Sequence, residues 1–365
     1  MEGAGDLGKC LEITFNYSIK GDSEMTDIII GLYHFPHVNF FKESIKRLEK
    51  KGYSCKIFLR ERANLLSTAK FELERDDIDV IGKHRSSNLG KVFEFIKSFL
   101  LLLLYIRIHR PKVVASIGGQ EVCLVSYIFG IKAFSFNDDP GHGLVFNMTK
   151  KFATKIIMPS SIKFESENRL SYNSYKELAH LHPSVFSPNA EVLKEYGLSK
   201  YSYILFREQD SISMVYRNVS VGDFREVVNS LGKKTDIVFS LESKDNLSFY
   251  ESRGIILEEP VPFFHSLVAY ASLVITTGDT LAREASLLGT PAIYSGGRDM
   301  PVNHKLIANG LIHKIDDISR IPAFIKIMNN NKYSRKYKKS ASEFVKKCED
   351  TSEFIVKQLM GEIVA

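Results

Sequence analysis

Three clusters in this chain combine residue types that can do chemistry. The first is Thr277-Gly278-Asp279-Thr280, followed within one helical turn by Arg283-Glu284. Small residues that turn into a helix leave the N–H groups of its first turn open, and these, with the helix dipole, favour an anion. The Thr277 and Thr280 hydroxyls add donors, and Glu284 can accept hydrogen bonds from a ribose diol. An ordinary helix capped by Asp279 or Thr280 would use the same residues without a ligand. The second cluster is His34-Phe35-Pro36-His37. An unperturbed histidine titrates near neutrality, so His37 can take a proton from a hydroxyl, or it merely caps a helix over Val38–Lys51. The third is Asn137-Asp138-Asp139, closed by Pro140-Gly141-His142. Pro140-Gly141 makes a turn unaided, which leaves both acids to position a hydroxyl, act as base or hold Mg²⁺ through oxygen.

Arg207 and Arg298 are further candidates for phosphate, because a guanidinium offers paired donors. His304 and Lys305 either touch the same ligand or start a helix. Gly82-Lys83-His84-Arg85 and Gly118-Gly119-Gln120 follow strands and read equally as ligand loops or plain loops. His180 and His182 read as structural.

Alternating strands and helices must position these clusters. Strands are expected at Asp27–Gly31, Ser54–Leu59, Ile78–Ile81, Lys112–Ser116, Lys132–Phe136 and Lys155–Met158, with helices between them at Phe40–Lys51, Ser67–Arg75, Leu89–His109, Glu121–Phe129 and Leu144–Phe152. That alternation is the signature of parallel βαβ units. Residues 161–200 break the pattern with polar and prolyl residues. Strands resume at Tyr203–Phe206, Ile237–Ser240, Ile255–Leu257, Leu273–Thr276 and Ala292–Tyr294, around helices Asp223–Leu231, Phe263–Ala271 and Leu281–Leu288. The reading is an α/β chain of two Rossmann-like domains facing across a cleft. Residues 1–24 form an N-terminal extension, 25–185 the first domain, 186–330 the second, and 331–365 a basic helical tail.

The bulk properties set limits. A chain of 365 residues exceeds one simple core. With 44% hydrophobic and 25% charged residues it reads as an ordinary soluble protein, and a net charge of +6 is too diffuse to argue for nucleic acid. Four scattered cysteines without a CxxC pair imply a reduced, cytoplasmic setting and no zinc site. Met1–Glu24 lacks the basic start and apolar core of a signal peptide. The apolar run Phe99–Ile106 is far short of the roughly 20 residues that cross a bilayer.

The run TTGDTLAREASLLGTPAIY resembles the donor-binding segment of GT-B nucleotide-sugar enzymes, namely the N-acetylglucosaminyltransferase that completes the peptidoglycan lipid precursor and the UDP-N-acetylglucosamine 2-epimerases. In that transferase a glutamate six residues after a glycine holds the ribose hydroxyls, a spacing Gly278 and Glu284 share. The epimerases carry serine-glycine-glycine and paired glutamates, where this chain has Thr277-Gly278-Asp279 and a single Glu284 preceded by Arg283. Phe136–Ile157 looks like the acceptor-side segment of the transferase. PHVNFF, GKHRSSNLGK, FNDDPGH, KELAHLHP and TLAREASLLGTPAI together resemble an archaeal-type family of unknown function predicted to be GT-B glycosyltransferases.

The resemblance implies transfer of an N-acetylhexosamine-type sugar from a UDP-linked donor to an unknown acceptor. His37, Asp138 and Asp139 would be catalytic. Asn137, His142, Arg207, Thr277, Gly278, Asp279, Thr280, Arg283, Glu284 and Arg298 would bind substrate. It implies metal-independent chemistry with no cofactor. The alternatives are a 2-epimerase-like enzyme, a nucleotide-sugar hydrolase, and a non-catalytic nucleotide-sugar binder. The acceptor can be lipid-linked, with the basic residues of the tail making peripheral contact at the inner membrane face.

Overall fold

The computed structural model describes residues 25–62, 64–83, 88–139, 143–208, 224–232, 235–243, 246–258, 261–328 and 331–364. Residues 1–24, His84, Arg85 and His142 lie outside them. The chain divides into two compact units, one made of residues up to His180 together with Asp350–Ala365, the other of Leu181–Glu349.

The first unit runs β1 (Ile28–Leu32), α1 (Phe35–Lys50), β2 (Cys55–Glu61), α2 (Leu65–Leu73), β3 (Ile78–Lys83), α3 (Asn88–His109), β4 (Val113–Ile117), α4 (Gln120–Ile128), β5 (Lys132–Phe136), α5 (Gly143–Phe152), β6 (Lys155–Pro159) and β7 (Arg169–Tyr172). The second runs β8 (Tyr203–Glu208), α6 (Phe224–Ser230), β9 (Asp236–Leu241), α7 (Leu247–Glu251), β10 (Ile255–Ile256), α8 (Phe264–Tyr270), β11 (Leu273–Thr276), α9 (Asp279–Leu287), β12 (Ala292–Tyr294), α10 (Pro301–Ala308), β13 (Ile312–Lys314), α11 (Ile321–Met328) and α12 (Asn331–Val345). α13 (Thr351–Val364) belongs to the first unit.

Both sheets are parallel, ordered β3-β2-β1-β4-β5-β6-β7 and β10-β9-β8-β11-β12-β13. A parallel strand covered by helices on both faces must be apolar throughout, and β1 reads IIIGL, buried at every position. Ile28, Ile30 and Leu32 pack with Phe40, Phe41 and Ile45 of α1, while Ile29 packs with Leu102 and Ile106 of α3 on the other face. Gly31 is required there, because a Cβ would come within 2.6 Å of the Phe58 ring. In the second sheet Ile204, Phe206, Ile237, Phe239, Ile275 and Ile293 share a core with α6 and α11. Each strand order reverses once, between β1 and β4 and between β8 and β11, where α/β sheets open a crevice at their carboxyl ends.

The tail is not a separate element. α12 stays with the second unit, where the Tyr333 hydroxyl meets His313 Nε2 at 2.7 Å and Tyr337 is buried. α13 packs on α1 of the first: Ile355, Val356 and Leu359 enter its core, and Arg47 pairs with Asp350 at 2.8 Å and Glu353 at 3.0 Å. The short edge strands β7 and β13 escaped the sequence reading, since three or four residues carry too little alternation to register. No helix among the described residues is long and apolar enough to cross a membrane.

Candidate functional site

In the first unit the loops after β1, β4 and β5 enclose a cavity of about 310 Å³, lined among others by Tyr33, His37, Arg60, Glu121, Asp139 and Phe146. It lies at the reversal between β1 and β4. Its floor is shaped by Gly118 and Gly119, both with positive φ (66° and 72°), a conformation that glycine adopts without strain. The Ser116 and Ser135 hydroxyls donate to the Gly118 carbonyl at 3.0 and 2.9 Å and fix the turn, and a Cβ on Gly119 would sit 2.4 Å from Ser116 Oγ.

His37 lies in the first turn of α1, which starts at Phe35 with His34 as N-cap and Pro36 in its first turn, so the expected start at Phe40 is corrected. Its Nδ1 accepts the Tyr33 N–H at 3.2 Å. A backbone N–H can only donate, so the neutral ring carries its proton on Nε2. Burial, reinforced by nearby His34 and Lys176, holds the His37 pKa well below the usual histidine value. The open nitrogen of His37 is therefore a donor and not the lone pair of a base. The residue lines the cavity, and the helix N-cap is His34 instead.

The two acids of the third cluster separate. Asn137 Oδ1 accepts the N–H groups of Asp138 and Asp139 at 2.8 and 2.9 Å, the habit of a turn-forming asparagine. Asp138 is buried and pairs with Lys176 Nζ at 2.6 Å, which corrects the expectation that both acids are available. Asp139 lines the cavity. Three residues of the cavity carried no sequence signal of their own. Glu121 is 1% exposed and takes Arg60 Nη2 at 2.6 Å, and the Arg60 guanidinium stands 5.6 Å from the centre of the Tyr33 ring. The loop Gly82–Arg85 is described only at Gly82 and Lys83. Both belong to β3, and Lys83 pairs with Glu61 at 2.9 Å.

In the second unit the turn from β11 to α9 sits at the reversal between β8 and β11. Gly278, not Asp279 or Thr280, is the N-cap. Its N–H donates to Thr276 Oγ1 at 2.9 Å, and the Thr277 N–H donates to the Arg207 carbonyl at 3.2 Å. Gly296 approaches so closely that a Cβ there would strike the Thr277 carbonyl oxygen at 2.1 Å. Asp279 and Arg283 are not laid out for a ligand. Arg283 is 0% exposed, and its Nη1 donates to Asp279 Oδ2 and Asn303 Oδ1, both at 2.8 Å, tying α9 to α10. Arg298 Nη1 comes within 3.7 Å of Asp279 Oδ1, which places Arg298 beside the turn. Glu284 is buried at 3.2 Å from His265 Nε2 on α8, a partner no local pattern announced. Arg207 lies inside β8 rather than after it. Its guanidinium turns to β9, donating to Ser240 Oγ at 2.7 Å and to Glu242 at 3.0 Å. His304 is exposed and meets Asp299 at 2.7 Å.

The structure thus gathers Thr277, Gly278, Thr280, Glu284 and Arg298 at one corner of the second unit. It gathers His37, Asn137 and Asp139 at the cavity of the first. Two parallel-sheet units of this kind define the GT-B class of fold. The chain belongs to the family described as protein of unknown function (DUF354), whose model matches residues 26–362. It is 23% identical over 313 residues to the uncharacterized protein MJ0665 of Methanocaldococcus jannaschii, covering 82% of this chain and 90% of that one. Three solved structures share the fold. S. aureus MnaA, in a co-structure with UDP, has a TM-score of 0.69 at 13% identity, covering 93% of this chain and 98% of that one. The UDP-GlcNAc 2-epimerase of Methanocaldococcus jannaschii, in complex with UDP-GlcNAc and UDP, has a TM-score of 0.65 at 16% identity, covering 92% and 99%. The spinosyn rhamnosyltransferase SpnG, complexed with spinosyn aglycone, has a TM-score of 0.63 at 11% identity, covering 91% and 100%.

Proposed function

We propose that this protein transfers a sugar of the N-acetylhexosamine type from a UDP-linked donor, held by the second unit, to an acceptor hydroxyl held by the first. The observation that carries the reading is the β11–α9 turn. It lies at a strand-order reversal, opens a helix with Gly278, carries two threonine hydroxyls and stands beside Arg298, with a buried carboxylate at Glu284. Its N–H groups suit a diphosphate and the carboxylate suits a ribose diol. The acceptor oxygen attacks the anomeric carbon while the bond from that carbon to the diphosphate oxygen breaks. The acceptor proton passes to Asp139, and UDP leaves with the bonding pair. The turn donors and Arg298 stabilise its growing charge, so the reading needs no metal or cofactor. His37 holds an oxygen through Nε2–H and leaves proton removal to Asp139.

Epimerisation is the second reading, favoured by the fold shared with UDP-GlcNAc 2-epimerases. Against it stands the residue before Glu284: Arg283 is locked in an internal ion pair, where the epimerases resembled in sequence carry a second glutamate. Incubation with UDP-sugars separates the readings. Transfer requires UDP release that depends on an added acceptor. Conversion of the UDP-sugar without release supports the epimerase, and UDP binding without turnover rejects both. We also place the protein in the cytoplasm, with the basic α12 residues Lys332, Arg335, Lys336 and Lys339 as the basis for peripheral contact with an anionic leaflet. Salt-sensitive pelleting with anionic liposomes tests that contact.

A further inference from the structure

The two helical layers on the first unit's sheet carry charge differently. α1, α2 and α13 pack on one face, and α3 and α4 on the other. α5 adjoins α4, where the Phe152 and Tyr127 rings lie 5.4 Å apart. The first layer pairs its charges: Lys42 with Glu72 at 3.1 Å, Arg75 with Glu49 at 2.8 Å, and Arg47 with Asp350 and Glu353. The helices of the second layer hold only two acids, Glu94 and Glu121, and both are buried. Its cations are open to solvent, partly at Lys97 and Lys150 and fully at Arg107 and Lys151, as are Arg110 and Lys132 beside the helix ends. None of these six forms an ion pair among the described residues.

The same surface exposes apolar side chains. Phe93, Ile96 and Leu100 recur at helical spacing along α3, and Tyr127, Ile128 and Phe129 close α4, each between 38% and 63% exposed. Val113 stands beside Lys132 in the sheet, and Phe134 beside Lys155, so Arg110, Phe129, Lys132 and Phe152 lie in neighbouring connections at one edge. Helix dipoles favour cations in a last turn, which accounts for Arg107, Lys150 and Lys151. They account neither for Lys97 and Lys132 nor for six bare apolar side chains, a grouping that marks a partner surface.

Charge chooses the partner. Apolar side chains set among cations and free of exposed acids complement an anionic lipid leaflet. The aromatic and aliphatic groups enter the headgroup boundary, while lysine and arginine stay at the phosphates. α12 offers cations too, but Lys339 has Glu343 one turn on, at 3.9 Å, and its Tyr337, Ala341 and Val345 are buried. We propose that the outer surface of α3, α4 and α5 is a docking face for an anionic membrane. The inference goes beyond the sugar-transfer reading and depends neither on it nor on the α12 contact.

The test is co-sedimentation of the intact protein with vesicles of phosphatidylcholine alone and of equal parts phosphatidylcholine and phosphatidylglycerol, at low and high salt. Wild-type protein should pellet with the anionic vesicles at low salt and stay in solution with the neutral ones. Arg107→Gln combined with Lys132→Gln and Lys151→Gln should lower partitioning about 100-fold, since one cation near such a leaflet contributes about fivefold. Ile128→Ser combined with Phe129→Ser should lower it about tenfold. Melting curves show whether each variant folds, and the cation triple carries the test if the apolar pair does not. Lys332→Gln with Lys336→Gln on α12 is the control and should cost less than the triple. No pelleting of wild type, equal pelleting with neutral vesicles, or full pelleting of the folded first-unit variants overturns the inference. So does a wild-type dimer in sedimentation velocity that Ile128→Ser with Phe129→Ser dissolves, which assigns the face to a second copy. UDP titrated into the same samples reports on the donor reading separately, because these first-unit variants lie outside the unit that holds the donor turn.

Discussion

The two corners of this protein handle buried charge in opposite ways. In the second unit Arg283 has no exposed surface and is satisfied from within, by Asp279, Thr280 and Asn303. In the first unit Arg60, a residue of the cavity lining, is held by Glu121 at 2.6 Å, and its buried Nε–H has no partner among the described residues. The first arrangement makes a rigid frame that aims the backbone and hydroxyls of a turn. The second stands in the lining of a cavity. Asp279 and Asp138 form ion pairs, and Asp139 lines the cavity. An acidic or basic residue next to a site is thus a poor guide to ligand contact until its partners are known.

The sharpest way to break the comparison is to exchange neighbours. Asp139→Asn should lower turnover about 10²- to 10⁴-fold, the range for removing a general base, with nucleotide affinity unchanged. Asp138→Asn should instead lower the melting temperature, since it leaves Lys176 without its carboxylate. Steady-state kinetics beside thermal unfolding decides; equal kinetic loss in both would erase the division between the acids.

Arg283→Met should destabilise the fold by about 3–5 kcal/mol, because buried Asp279 loses its closest cation, at 2.8 Å, and Asn303 loses its donor. Denaturant unfolding measures this, and a variant as stable as wild type would remove the frame from the argument. Glu284→Ala should weaken UDP binding by about 1.5–3 kcal/mol, one hydrogen bond to a charged group, while the fold persists. Calorimetry that finds equal affinity would detach the ribose from this residue.

The smallest effect is a pH dependence. His37 in the first unit and His313 in the second both have pKa values lowered, by burial first in each. The unfolded chain then binds protons that the native state does not, so stability falls as pH drops below about 6.5, by at most about 1.4 kcal/mol per pH unit per group. His37→Gln should flatten its own share of that slope between neutral pH and roughly pH 5, while the shares of His109, lowered likewise by burial, and of His313 persist. Melting curves across that range test it; an unchanged slope in the variant would mean that the native ring takes up a proton.

Much of the fold was legible because parallel strands buried on both faces must be apolar runs, and IIIGL, KAFSF and LVIT are such runs. The β11–α9 turn was legible because its donors, N-cap and glutamate are neighbours in sequence. Arg60, Glu121 and His265 were not, since each sits on a different strand or helix from the residue it serves. Their pairing depends on the order β2-β1-β4 and on α8 lying against α9.

By itself, then, the sequence determined two α/β units and a short local motif, through hydrophobic periodicity and turn chemistry that act over a few residues. Only the tertiary structure decided which charges line a cavity and which are tied up in buried pairs. That choice depends on partners far away in the chain: Lys176 claims Asp138 across 38 positions, and Asn303 claims Arg283 across 20. α13 joins the first unit for the same reason. Its apolar face, Ile355, Val356 and Leu359, is buried only by the core built around α1, some 300 residues earlier, and a local pattern does not report so distant a partner.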